Sequence, residues 1–216
     1  MKLKRGNFTL FLVIVLLAIL ITLIFKHSLK VDTLLYNFYA EQFAQEQLEQ
    51  LIENQQNWAW LGYAIIPLLI LFRASFVALC LSVGNFFYNM DEEEIPKFKH
   101  FFRIALLGEF VLILVGFFKF IYFTLIKTDF TLLDLQQYYP LSYINFLNLE
   151  SLEPWLVYPL QTINLFEITY FFVLVFGMHK LLKNKYLKSF EIVAVSYGTG
   201  LIIWLGLVMF LTLNMT

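Results

Sequence analysis

The chain has 216 residues, of which 60% are hydrophobic and only 14% charged, with a mean hydropathy of +0.73. A soluble domain runs nearer a quarter charged, so a single water-soluble domain is excluded and the surplus apolar mass must face lipid. A formal net charge of -1 offers no cationic field for nucleic acid.

Windows of about 20 apolar residues match a hydrocarbon layer of about 30 Å. Five of them predict an all-α integral membrane protein with five transmembrane helices, forming one domain over residues 1–216. The spans fall near residues 8–25, 60–83, 102–126, 155–181 and 192–213. The first, FTLFLVIVLLAILITLIF after MKLKRGN, is longer than a signal-peptide core and lacks a small-x-small cleavage site after it, so it reads as an uncleaved anchor.

Orientation follows from the lysines and arginines of the connecting segments. With the N-terminus in the cytoplasm, ten of the fifteen lie inside, Lys2, Arg5, Lys97, Arg103 and Lys183 among them; Lys26, Lys30 and Lys127 lie outside, and Arg73 and Lys119 fall within spans. This predicts a bacterial cytoplasmic membrane protein with an extracytoplasmic C-terminus. Trp58, Trp60 and Trp155 then meet the outer interface, where amphipathic rings settle.

Between the first two spans, residues 31–57 predict an extracytoplasmic amphipathic helix. The stretch AEQFAQEQLEQLIENQQ holds good helix formers without Gly or Pro. Ala44, Leu48, Leu51 and Ile52 share one face, while Glu46, Glu49 and Glu53 line another. An upstream stripe of Val31, Leu34, Leu35 and Phe38 is out of phase with it, predicting a bend near Tyr39 to Glu41. Such a helix either lies over the bilayer and the spans or presents its acids to a partner protein.

The acidic run Asp91 to Glu94, ahead of Pro96 and a basic cluster, reads as a solvated turn, since it lacks the spaced oxygens and glycine of a calcium loop. Residues 127–154 predict an outer lid: Thr131 with Asp134 fits a capping box, Pro140 breaks the short helix, and Pro154 suits the first turn of the fourth span. Tyr138 and Tyr139 are either interfacial aromatics or ligand-lining groups.

Four ionisable residues lie within apolar runs: Arg73, Glu109, Lys119 and Glu167. Each is costly against lipid, so each is expected to point inward and find a partner. Counted from the cytoplasmic ends at about 1.5 Å per residue, Glu109 lies roughly 12 Å deep, Arg73 18 Å, Glu167 21 Å and Lys119 27 Å. Arg73 and Glu167 are nearly level, which predicts that spans two and four meet there, with Glu109 and Lys119 reaching the pair from below and above. Asn164 and Tyr170, three residues either side of Glu167, share its helix face and supply hydrogen bonds. Such a cluster is either a structural clamp between helices or a proton or ion path.

No catalytic motif is present, and the histidines His27, His100 and His179 sit at three different span ends. Neither a metal nor another cofactor is expected. Cys80 is the only cysteine, inside an apolar run, and reads as a small buried hydrophobe. The glycines Gly198 and Gly200 of YGTG point to close helix packing.

The stretch from Tyr158 to Trp204 resembles the last two spans of the bacterial Yip1-like five-helix membrane proteins, through Asn164, Leu165 and Phe166 at a helix start, a Gly-bearing helix end, a short basic loop and a closing apolar span. That resemblance carries no catalytic residues and implies a protein acting through partners or membrane organisation. The sequence-level expectation is therefore a non-enzymatic accessory or scaffold subunit of a larger membrane assembly, touching lipid and other membrane or periplasmic subunits. The rival expectation is a small ion- or proton-coupled transporter or channel.

Overall fold

The computed structural model describes residues 2–88, 96–148 and 151–215. Asp91 to Glu94 lie outside the described residues. Helix makes up 87% of the structure, and no strand occurs among the described residues. Five helices are long and apolar enough to cross a membrane.

Among the described residues the α-helices in chain order are α1 (Lys2–Ser28), α2 (Val31–Ala40), α3 (Gln45–Tyr88), α4 (Phe98–Ile121), α5 (Leu132–Gln137), α6 (Pro154–Thr162), α7 (Leu165–Leu182) and α8 (Tyr186–Met215). A π-helical turn, Tyr122–Ile126, prolongs α4. The five that are long and apolar enough to cross a membrane are α1, α3, α4 with its π turn, α7 and α8.

Four of them form a ring in which α3 packs on α4, α4 on α7, α7 on α8, and α8 back on α3, while α1 lies outside against α4 and the edge of α3. The ring places α3 and α7 at opposite corners. Its core joins Ala74, Val77 and Leu81 of α3, Ile104 and Ala105 of α4, Leu174 and Met178 of α7, and Ile192 and Val193 of α8. Lipid gives helices no hydrophobic reason to associate, so close approach must come from small residues and polar contacts. A Cβ on Gly84 would meet the Ser196 side chain at 2.4 Å, and one on Gly200 would meet the Cys80 sulfur at 2.6 Å. α3 and α8 therefore touch nearly backbone to side chain. Gly198 faces open space, so only Gly200 of the YGTG pair serves packing.

Two expected boundaries differ. Residues 45–57 are not a separate helix from the second span, because α3 runs unbroken for 44 residues, about 66 Å at 1.5 Å per residue. No residue between Gln45 and Trp60 interrupts the backbone ladder, and Pro67 sits inside the helix without ending it. The break falls at residues 41–44, just after the expected bend. The fourth span is also not one helix over 155–181: it divides into α6 and α7 at Ile163 and Asn164.

One end of the ring carries a cap. Leu29, Phe123 and Leu135 form its buried centre, with Val31 and Leu34 of α2 and Tyr138 packed around them. Thr131 and Asp134 close the expected capping box at the start of α5. Lys127 Nζ donates to Asp134 at 2.5 Å, tying the end of the π turn to α5.

Candidate functional site

The break between α6 and α7 leaves carbonyls at the end of one helix and amides at the start of the next without helical partners. The segment after α5 supplies them. Ser142 Oγ lies 3.3, 3.1 and 3.3 Å from the carbonyl oxygens of Leu160, Gln161 and Ile163, and its single hydroxyl hydrogen is shared among them. The Tyr143 amide donates to the Ile163 carbonyl at 2.9 Å, and the Leu165 amide donates to the Leu141 carbonyl at 3.2 Å. Asn164 serves both helices: its Oδ1 accepts the Glu167 amide at 2.8 Å, and its Nδ2 donates to the Gln161 and Thr162 carbonyls at 2.8 and 3.1 Å. Leu141 follows Pro140 with a φ of 53°, a left-handed backbone that a bulky side chain seldom adopts. The kinked segment is thus held in place by the break it satisfies.

Beside this break lies a cavity of about 320 Å³ bounded by α3, α4, α6, α7, α8 and Tyr139. Its polar lining includes Arg73, Gln161, Thr162, Asn164 and Glu167. Aromatic groups supply much of the rest: Phe72, Phe76, Tyr158, Tyr170, Tyr197 and Trp204. The Trp204 indole N–H donates to the Tyr158 hydroxyl at 3.0 Å, which joins α8 to α6, and the Phe72 and Phe76 rings stand 6.3 and 6.4 Å from the Trp204 ring.

The four intramembrane charges are arranged differently from the depth count. Arg73 does not pair with Glu167, and α3 and α7 are not neighbours in the ring. The Arg73 Nε donates to Glu109 Oε1 and Oε2 at 2.9 and 3.2 Å, and a terminal guanidinium nitrogen donates to Oε2, giving a fork-like pair between α3 and α4. The Glu109 side chain keeps 1% of its surface exposed and Arg73 keeps 49%. Glu109 is buried behind the guanidinium, which forms cavity wall. Glu167 instead accepts a short hydrogen bond from the Tyr197 hydroxyl of α8. Arg73 and Glu167 share the cavity from opposite corners of the ring.

Lys119 does not join them. It sits one residue after Phe118, whose ring packs on Phe166 at 5.4 Å, yet it lies outside the cavity wall and enters no ion pair among the described residues. Tyr170 is 1% exposed and packs over Gly108, where a Cβ would meet its ring at 2.5 Å. Its hydroxyl has no hydrogen-bond partner among the described residues. The two lid tyrosines divide: Tyr139 lines the cavity, while Tyr138 stacks on Tyr122 with centroids 4.0 Å apart. Burial raises the Tyr139 phenol above its ordinary pKa, so it remains a neutral hydroxyl.

Glu46, Glu49 and Glu53 are exposed on the first turns of α3. Leu48 of the expected apolar stripe is buried at 3% exposure, but Leu51 keeps 41% exposed and Ala44 is exposed as well.

Sequence reasoning did not single out Tyr197, Ser142, Tyr158 or Trp204. For Tyr197 the depth count misled: from the expected span start at residue 192 it lies roughly 8 Å deep, far from Glu167, and only the earlier start of α8 at Tyr186 brings the two within about 6 Å of one level. Ser142 carried no signal, because its role depends on the carbonyls of a helix break eighteen to twenty-one residues onward.

No protein-family model matches the sequence, and neither a curated protein nor a solved structure shows a detectable match to this chain.

Proposed function

We propose that this chain is a small membrane transporter whose substrate occupies the cavity beside the α6–α7 break. The observation that carries the reading is open volume, about 320 Å³, among charged and polar groups at a point where a membrane helix is interrupted. That volume is at the lower end of small-molecule sites, and interrupted helices with irregular backbone are tolerated at membrane depth where they line a cavity or are buried in protein. A clamp between helices needs no such space. The Arg73–Glu109 pair already ties α3 to α4, which leaves Glu167 as the carboxylate with access to the cavity.

In this reading the excess of basic residues in the loops places the N-terminus in the cytoplasm of a bacterial cell, so that α2, α5 and the first turns of α3 form an extracytoplasmic cap. Catalysis forms no part of it.

The test is whether water reaches the cavity. In a Cys80→Ser background, Thr162→Cys in membrane vesicles should react with a charged methanethiosulfonate added from at least one face. A thiol protected from both faces in folded protein would sink the transport reading and return the charges to a structural role.

A second reading, an accessory subunit, is favoured by the exposed Glu46, Glu49 and Glu53 on the first turns of α3, a surface without Lys or Arg and so not suited to anionic lipid. It is also the role implied by the Yip1-like resemblance of residues 158–204.

A further inference from the structure

Resting on the transport reading, we infer that the cavity takes an organic cation of the ammonium class, held by the Glu167 carboxylate and the surrounding rings, and that this cation and a proton exclude one another at Glu167.

A carboxylate taken out of water requires one compensating positive charge, whether a bound proton or a cation beside it. The charged and titratable groups around Glu167 are few. From α3 comes Arg73, whose positive charge is matched by the two-oxygen contact with Glu109 of α4. Lys119, also on α4, does not reach the cavity. Tyr197 of α8, Tyr170 of α7 itself, Tyr158 of α6 and Tyr139 bring phenol groups, which supply no positive charge. The balance of the pocket is therefore one carboxylate short of a cation, and the missing charge must arrive from outside.

The walls decide what kind of cation. A metal ion takes several oxygen ligands in a compact shell. Here the cavity that Glu167 lines is also lined by Phe72, Phe76, Tyr158 and Trp204, and aromatic rings attract ammonium groups through their quadrupoles at about 6 Å or less. The buried Tyr170 hydroxyl adds a hydrogen-bonding group without a partner among the described residues. An anion would meet Glu167, and would find the Arg73 charge already neutralised.

The exchange balances simply. When the cation enters, the Glu167 carboxyl releases its proton to the aqueous side; when the cation leaves, a proton returns. Neutrality in the bilayer thus makes each occupant the counterpart of the other.

The test is calorimetric titration of the full chain in lipid nanodiscs with benzyltrimethylammonium, in two buffers of different protonation enthalpy, from about pH 5 to about pH 9. We expect release approaching one proton per bound cation at the acidic end, and affinity that weakens up to about tenfold for each unit of falling pH where Glu167 is protonated. Glu167→Gln should lower affinity at least about tenfold and remove the pH dependence, a loss of about 1.4 kcal/mol or more, while Glu167→Asp should keep the dependence. Binding without proton release, undiminished binding in Glu167→Gln, displacement by sodium in preference to the ammonium probe, or binding of benzenesulfonate in its place would each overturn the inference. If Glu167→Gln does not fold, proton release by the unaltered chain decides the matter. An absence of cation binding together with a reactive Thr162→Cys would overturn the cation class and leave the transport reading standing; an unreactive Thr162→Cys would remove both.

Discussion

At the scale of single residues, the Arg73–Glu109 pair decides whether α3 and α4 can coexist in lipid. Glu109 is buried almost completely, and both its oxygens receive guanidinium N–H groups. Removing one member leaves an uncompensated charge, whereas removing both leaves none. We expect Arg73→Met or Glu109→Leu alone to lower stability by about 3–5 kcal/mol, and the double variant to recover most of that loss. Folded yield and thermal midpoint in mild detergent measure it, and a double variant as damaged as the two singles combined would contradict it. The sequence placed these residues within one slab of the bilayer but matched Arg73 to the wrong carboxylate. Depth counted along a helix axis says nothing about azimuth, and Glu109 rather than Glu167 lies on the neighbouring helix.

At the scale of elements, the start of α5 shows a local signal that survives folding. Thr131 and Asp134 form a capping box that depends only on residues three apart. Tertiary structure adds Lys127, whose hydrogen bond, together with the Thr131 backbone amide, holds the Asp134 carboxyl below its ordinary pKa; the same bond holds Lys127 above its own. The signs follow. The Asp134 contribution is present above the usual carboxylate range and is lost as pH falls through its lowered value. The Lys127 contribution is present below the usual lysine range and is lost as pH rises through its raised value. Amide exchange over residues 132–137, corrected for intrinsic rates, should therefore show greatest protection between those ranges and faster exchange below about pH 4. Salt should weaken that protection, because the Lys127 side chain keeps 41% of its surface exposed. Protection unchanged from neutral pH down through that range would argue against the linkage.

The α6–α7 break is the opposite case. Asn164 at a helix start was legible as a polar residue on the Glu167 face, but its role as a cap serving two helices was not. Hydropathy reads Trp155 to Leu181 as one apolar run, and the interruption becomes tolerable only because Ser142 and Tyr143, far back in the chain, receive the freed carbonyls.

At the scale of the whole molecule, the ring is closed by places where backbone approaches side chain. Gly84 on Ser196 and Gly200 on Cys80 bring α3 and α8 together, Gly108 receives Tyr170, and Gly177 receives Ile104. Gly84→Val should reduce folded yield and lower the thermal midpoint, since the added carbons would displace α8. Gly198→Val should leave both close to their starting values, because nothing lies within 4 Å of a Cβ there. Equal loss in the two variants would show that helix propensity rather than packing governs these positions.

The number of helices long and apolar enough to cross a membrane and the inward placement of Glu109 and Glu167 were readable from the chain alone, because the bilayer imposes a length and a penalty on every residue one at a time. Which helix stands beside which, which carboxylate Arg73 meets, and where a cavity opens between Glu167 and Trp204 were settled by packing. Those depend on rotation about helix axes and on contacts between distant segments, and a one-dimensional pattern of hydropathy carries neither.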